Sequence, residues 1–411
     1  MKVLVIGGGV IGLCCARAAA RRGADVVLLE RDRCGGGASL ENAGWIVPTF
    51  STPLPEPGAV AFAVKSVLKR TGSFAFRVRP DPALPGWYLR FLRASSERRW
   101  LAGTAAILRL NRRTMELFDE LRESGVVFDM QERGVLFVAR GDDEMRSYRR
   151  HLEALLRVGY RGRVEFWDQP ELRAREPALA DDTTGAMYAH DERHVRAESL
   201  VQGISDAARV DGVEIVEQAP VASLFRSRGK WHVTTVGDVR VADRVVIAAG
   251  AWSSVLLRGL GVRLPIQAAK GYSLTAHSEG GAPSRPIYAG AIRVACSPYE
   301  DGLRVAGMLE LAGLDSTVKP GRIATLLEGV QHYLPEWRPT RVRSTWAGLR
   351  PLAPDGLPVV GALPGQDGLF VATAHGMLGV TLAPATAELL MPLVLDDQLS
   401  EDLVPFSPAR F

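Results

Sequence analysis

Gly7-Gly8-Gly9-Val10-Ile11-Gly12 constrains this chain more than any other stretch, because of what flanks it. The short β-branched run from Lys2 to Ile6 suits a buried parallel strand, and the Ala-rich run from Val10 to Arg22 suits a helix. Ala24 to Glu30 then reads as a second buried strand. Strand, glycine turn, helix and strand make a βαβ unit carrying G-x-G-x-x-G, the arrangement that binds dinucleotides. In that arrangement Gly7 permits the tight turn, Gly9 lets a pyrophosphate approach the backbone, and Gly12 lets the helix pack on the strand. The first helical N–H groups, those of Val10 and Ile11, meet the diphosphate with the positive end of the helix. Glu30 closes the second strand beside Arg31, where an acid accepts hydrogen bonds from ribose hydroxyls.

The rest of the chain is built on a larger scale. Its 411 residues are enough for two lobes around a large buried core. A net charge of +4, scattered among helix-like arginine patterns, gives no reason to expect a nucleic-acid partner. Cys14, Cys15, Cys34 and Cys296 show neither metal-ligand nor disulfide spacing, so no metal is expected and a reducing cytosol is the default. No signal peptide and no uninterrupted apolar run long enough to span a bilayer are visible.

A proline-rich loop occupies residues 47–58, followed by a basic amphipathic stretch from Val60 to Arg70. Residues 104–124 and 142–158 read as helices, with Val126 to Phe128 and Val135 to Val138 as strands. Ser199 to Arg209 reads as a helix, Val213 to Glu217 as a strand, and Val221 to Phe225 with Trp231 to Val236 as a small meander. Val241 to Gly250 reads as one strand. Short alternating strands follow from Pro265 to Leu309, and the last stretch, Leu369 to Leu395, is strand, glycine loop and helix. The expected fold is α/β: a doubly wound Rossmann-like domain from residues 1–55, 190–255 and 345–411, with an inserted mixed or antiparallel-sheet α+β substrate domain from 56–189 and 256–344. The crevice between them is the expected site.

The fingerprint alone does not choose between FAD and NAD. The loop Ser39-Leu40-Glu41-Asn42-Ala43-Gly44 brings small polar groups towards a diphosphate or flavin. The loop His375-Gly376-Met377-Leu378-Gly379-Val380-Thr381 opens a helix from about Leu382 whose positive end would face the crevice, as a reduced anionic flavin requires. Both favour FAD.

The segments VLVIGGGVIGL (3–13), ENAGWIVP (41–48), AAKGYSLT (268–275), STWAGLRPLAPDGLPVVG (344–361) and AHGMLGVTLAPATAELL (374–390) together resemble the D-amino acid oxidase-like flavoproteins, and among them the bacterial D-amino acid dehydrogenases. The resemblance runs over nearly the whole chain. It implies that Arg350, in Gly348-Leu349-Arg350-Pro351, clamps a substrate carboxylate, a task suited to its planar fork. It implies that Gly376, Met377, Leu378, Gly379, Val380 and Thr381 meet the flavin edge, that the backbone of Val221 contacts the adenine, and that Ala249 and Gly250 let the backbone approach the cofactor. Gly348 stands where covalent relatives carry a cysteine, so non-covalent FAD is expected. Val305 falls where oxygen-activating relatives carry a lysine, which favours a dehydrogenase with another acceptor, a quinone or a partner redox protein.

The expected reaction is removal of a hydride from the Cα of a small amino or imino acid, for which the resemblance implies the D configuration. The protein has to hold the carboxylate, exclude water and stabilise the reduced ring. Lys270 is a candidate for orienting substrate or a flavin-bound water, and Tyr272, Tyr288 and Arg293 are candidates for a second carboxylate contact. His375 reads either as a flavin neighbour or as structural. The amphipathic stretch Val60 to Arg70 fits a helix packed on its own lobe or one lying on a membrane surface, which would place the chain in the cytoplasm, peripheral at the inner membrane face. An oxidase of the glycine or sarcosine type, using oxygen, is the alternative reading.

Overall fold

The computed structural model describes residues 1–58, 74–76, 83–311 and 313–411. The amphipathic stretch Val60 to Arg70 lies outside the described residues.

β1 (Lys2–Ile6) and β2 (Asp25–Leu29) run parallel, joined by α1 (Val10–Arg21), and each strand buries four of its five residues. They sit within a six-stranded sheet ordered Glu214–Val216, β2, β1, Arg244–Ile247, Leu369–Thr373, Val359–Ala362. Its neighbours are parallel except the last pair. Segments more than 350 residues apart in sequence therefore share one sheet, which makes the lobe discontinuous. One face packs on α1 and the helices Ala197–Val210 and Gly379–Asp396. The other is covered by the antiparallel meander Val221–Ser227, Lys230–Thr235 and Asp238–Ala242. The helix Gly379–Asp396 is long and apolar enough to cross a membrane, but 67% of that span is buried inside the molecule.

The second lobe is a larger mixed sheet. β3 (Trp45–Ile46) enters through a small three-stranded sheet with Arg193–Val195 and Met130–Gln131. Helices α2 (Leu84–Ala94) and α3 (Glu97–Leu110) follow. The long strands β4 (Gln267–Ser278), β5 (Gly302–Leu311) and β6 (Pro339–Leu352) lie in the order β6-β4-β5, with β6 at the sheet edge. One face of this sheet buries Tyr272, Leu274 and Val305 against the helix Pro320–Gln331. The opposite face carries Arg350, Ala269 and Ser273, and register relates it through Ala306 and Ala295 to Tyr288 and Phe137.

Several elements differ from the sequence reading for identifiable reasons. The helix expected over 104–124 is two, α3 and Thr114–Glu123, because Asn111 caps the first with φ −93° and ψ 7°. Val126 to Phe128 forms no strand, since pairing begins only at Met130. The strand expected from Val241 divides at Asp243, whose carboxylate accepts from the backbone N–H of Lys2 (2.7 Å). The residues before it pair in the meander and Arg244–Ile247 in the parallel sheet. The expected short strands after Pro265 include β4, twelve residues long and buried on both faces, so it shows no alternation. The expected domain boundary at 345 falls inside β6, which stays in the large sheet to Leu352.

Candidate active site

A cavity of about 300 Å³ lies between the lobes, and its wall begins at the glycine turn. Gly7 adopts φ +112°, and a Cβ there would lie 2.5 Å from the Ala248 carbonyl oxygen. A Cβ on Gly12 would lie 1.9 Å from the Gly7 oxygen, so this glycine serves helix packing and does not itself line the cavity. Gly9, Val10 and Ile11 do line it. Gly9 is the N-cap of α1 and offers no capping side chain; Val10 N–H donates to Ser39 Oγ at 3.0 Å.

Glu30 and Arg31 form one end of the wall. The Glu30 carboxylate accepts from the backbone N–H groups of Gly8 (2.6 Å) and Asp32 (2.9 Å), which fixes it at the rim. The Arg31 guanidinium lies 4.5 Å over the Trp252 ring. Val221, Ala249 and Gly250 line the same stretch.

Ser39 and Asn42 also line the cavity. The Asn42 amide shapes its own loop, donating to the Ser39 carbonyl (2.8 Å) and accepting from Gly44 N–H (2.7 Å). Ala43 and Gly44 are not in the wall. They tie the loop to the other lobe: the Ala43 carbonyl accepts from Ser297 Oγ (2.8 Å), and a Cβ on Gly44 would meet the Val195 oxygen at 1.9 Å. At the other end, Gly376, Met377, Gly379 and Val380 line the cavity, while Leu378 is buried in the core. The helix starts at Gly379, three residues before the expected Leu382, and no side chain caps it, so its first N–H groups remain available. Thr381 Oγ1 donates to the Trp45 carbonyl (3.1 Å), bracing β3 from outside the wall.

Edge strand β6 contributes Leu349, Arg350 and Pro351. It is stitched to the glycine loop, where the Pro351 carbonyl accepts from Gly376 N–H at 3.0 Å. The Arg350 guanidinium lies across Gly271 of β4 and donates to the Met308 carbonyl of β5 at 2.8 Å. Among the described residues it makes no ion pair, and burial draws its pKa down to about 10. A desolvated guanidinium without a counter-ion is set up to take an anion. His375, also in the wall, makes a 3.0 Å contact between Nε2 and Thr386 Oγ1, and burial lowers its pKa to about 3. Neutral and bonded to the following helix, it holds the loop.

Lys270 and Tyr272 require correction as candidates. β-Strand alternation puts both on the face of β4 opposite Arg350, and neither lines the cavity. Lys270 Nζ is fully buried and donates to Asp315 (3.2 Å) and the Thr317 carbonyl (3.0 Å); Tyr272 Oη donates to Glu310 (2.8 Å). Val305 likewise packs in the core on that far face. Tyr288 shares the Arg350 face, in a cluster with Phe50 (5.0 Å), Phe137 (5.8 Å) and Trp45 (6.3 Å). Arg293 pairs with Glu56 at 3.0 Å. The sequence reading missed Gly271 and Met308. The available signal was Gly271 opposite Gly348 in the centre of long buried strands, but that pairing needs the register.

Residues 2–393 match the family described as FAD dependent oxidoreductase. The chain belongs to this FAD-dependent oxidoreductase family. Among curated relatives of this oxidoreductase, the D-amino acid dehydrogenase of Paramagnetospirillum magneticum is 35% identical over 96% of this chain and 95% of its own. That of Phenylobacterium zucineum is 33% identical over 100% and 98%. Among solved structures, glycine oxidase from Geobacillus kaustophilus superposes with a TM-score of 0.79 at 25% identity, covering 100% of this chain and 99% of that one. L-proline dehydrogenase from P. horikoshii shares the fold, with a TM-score of 0.78 at 18% identity over 100% and 97%.

The cavity suits the family's cofactor. Its wall joins an acid, a glycine turn at a helix N-terminus, small residues at Ala249 and Gly250, and a second uncapped helix start. A Cβ at 348 would meet the Trp346 ring at 1.8 Å, so any side chain there must displace the indole.

Proposed function

We propose that this oxidoreductase dehydrogenates a small amino or imino acid of D configuration, with non-covalent FAD as cofactor and a quinone or partner redox protein as electron acceptor. FAD, when bound, accepts the hydride from the substrate Cα. The observation that carries the reading is Arg350: a half-buried guanidinium at the inter-lobe cavity, held by one backbone carbonyl and without an acidic partner among the described residues. Its free N–H groups match a carboxylate, which fixes the position of the Cα beside it.

The other residues divide the work. Glu30 would receive the adenosine ribose and the Val221 backbone the adenine. The turn at Gly9, Val10 and Ile11, with Ser39, would hold the diphosphate. The N–H groups at Gly376 to Val380 would face the pyrimidine edge, where the helix dipole favours negative charge. The D preference rests on the names of the curated relatives. A cytoplasmic location with peripheral contact at the inner membrane face goes with a quinone acceptor.

The glycine oxidase likeness supports a second reading, the same chemistry with oxygen as acceptor. A panel of D- and L-amino acids, assayed with an artificial acceptor beside an oxygen electrode, separates the two. Turnover of D substrates without oxygen uptake is expected; stoichiometric peroxide would establish the oxidase. Failure of every amino acid to bleach the flavin anaerobically would end both.

A further inference from the structure

A second cavity, of about 820 Å³, lies between α2, α3 and the C-terminal turns Glu401–Phe406 and Pro408–Arg410. Arg90, Arg93, Arg99, Arg109 and Arg410 all reach its wall. The acidic side chain in that wall, Asp355, is committed to Arg410 at 2.7 and 3.2 Å. Arg109 lies 3.5 Å from Asp402. Among the described residues Arg93 and Arg99 have neither an ion pair nor a hydrogen bond, and Arg90 has the Phe411 ring at 5.9 Å.

Arg90, Arg93, Arg99 and Arg109 are exposed at the mouth of this cavity, and what sets them apart from single surface arginines is that they converge on one concave wall. Like charges gathered round a concave wall repel, and the field they focus favours an anion there. The guanidinium fork matches phosphate oxygens in particular. Ala102, Ala105, Leu357 and Phe411 give the cavity an apolar floor suited to the organic part of such a ligand.

We propose that this cavity binds a phosphate-bearing anion. Two sources share that chemistry, a free phosphate compound and the headgroup of an anionic lipid. Leu89 and Leu92, 49% and 50% exposed on α2 beside Arg90 and Arg93, would anchor the second source in a bilayer.

The test uses the full-length holoenzyme with inorganic pyrophosphate, followed by calorimetry, and with phosphatidylglycerol or phosphatidylcholine vesicles, followed by sedimentation. The variants are Arg90→Gln/Arg93→Gln/Arg99→Gln and Leu89→Ser/Leu92→Ser. Saturable pyrophosphate binding, weakened at least about tenfold in the arginine variant and unchanged in the leucine variant, supports a free phosphate ligand. Sedimentation with phosphatidylglycerol but not phosphatidylcholine, lost in both variants, supports a lipid headgroup. The proposal falls if neither probe binds, or if the arginine variant binds as tightly as the parent. Flavin content and amino acid turnover, read in parallel, report separately on the redox site.

Discussion

The guanidinium of Arg350 occupies the space that a side chain on Gly271 would take: a Cβ at 271 would lie 2.2 Å from Nη1 and 2.3 Å from Cζ. Two strands therefore cooperate, one presenting the cation and the other withholding a side chain so that the cation can reach the Met308 carbonyl. Gly271→Ala should push the guanidinium off that carbonyl while leaving the fold intact, since residue 271 has ordinary extended backbone. The expected outcome is a KM for amino acid substrate raised about tenfold or more with a smaller change in kcat. Arg350→Ala should cost about 2–4 kcal/mol of transition-state stabilisation, roughly 30- to 900-fold in kcat/KM. In the Arg350→Ala background the Gly271 change should add almost nothing, because both act through one contact. Additive effects would mean that Gly271 matters for some other reason.

Much of this arrangement was legible in the residues, and the division follows sequence distance. Gly7, Gly9, Gly12 and Glu30 belong to one βαβ unit, so their placement depends on local geometry that the sequence carries. The loop 376–380 was readable because a glycine run before an apolar helix signals an exposed helix start. Lys270 and Tyr272 were misplaced because they flank Gly271, over which the Arg350 guanidinium lies, and alternation sends immediate neighbours to the other face. Thr381 sat in the right motif, but its hydroxyl braces Trp45, far away in sequence. Contacts between β4 and β6 depend on register between segments some 80 residues apart, which local patterns do not encode.

Lys270 is expected to affect stability more than turnover. Its ammonium is fully buried, and its removal in Lys270→Met leaves Asp315 and the Thr317 carbonyl without that donor. Loss of about 1–3 kcal/mol is expected, read as a lower Tm, with KM changed by less than about threefold. A large KM increase at unchanged Tm would restore Lys270 to the substrate site.

At position 348 the obstacle to covalent flavin is steric. The indole of Trp346 covers Gly348 so closely that any side chain must displace it. Gly348→Cys should lose about 1–3 kcal/mol by overpacking and still release all its flavin when denatured in acid. Gly348→Cys/Trp346→Ala should regain part of the lost stability, which a melting curve reads directly. Flavin that stays with the precipitated protein would show that a cysteine there reaches the cofactor after all.

Glu192 gives the fold a pH dependence with a definite sign. Its carboxyl is 1% exposed; Oε1 accepts from the backbone N–H (2.8 Å) and hydroxyl (2.6 Å) of Thr49, whereas Oε2 has no partner among the described residues. Burial outweighs the two hydrogen bonds and pushes the pKa up to about 8. Between the ordinary carboxylate range and about pH 8, the unfolded chain has released this proton and the folded chain retains it. Folding therefore takes up a proton, and stability falls as pH rises through that window, levelling off above it. Buried His375, with its pKa lowered to about 3, works in the opposite sense, its stabilising contribution being lost as pH falls below the usual histidine range towards 3. Burial lowers His194 to about 4 and lowers His151 in the same sense, so these histidines together oppose Glu192 at mildly acid pH. Above about pH 6.5 their opposition fades and, among the described residues, the Glu192 effect carries the slope towards pH 8. Glu192→Gln keeps the shape without the titrating proton, so its Tm should be nearly flat over that interval while the parent's declines. A parent Tm that is equally flat, or a variant that declines as steeply, would place the controlling ionisation elsewhere.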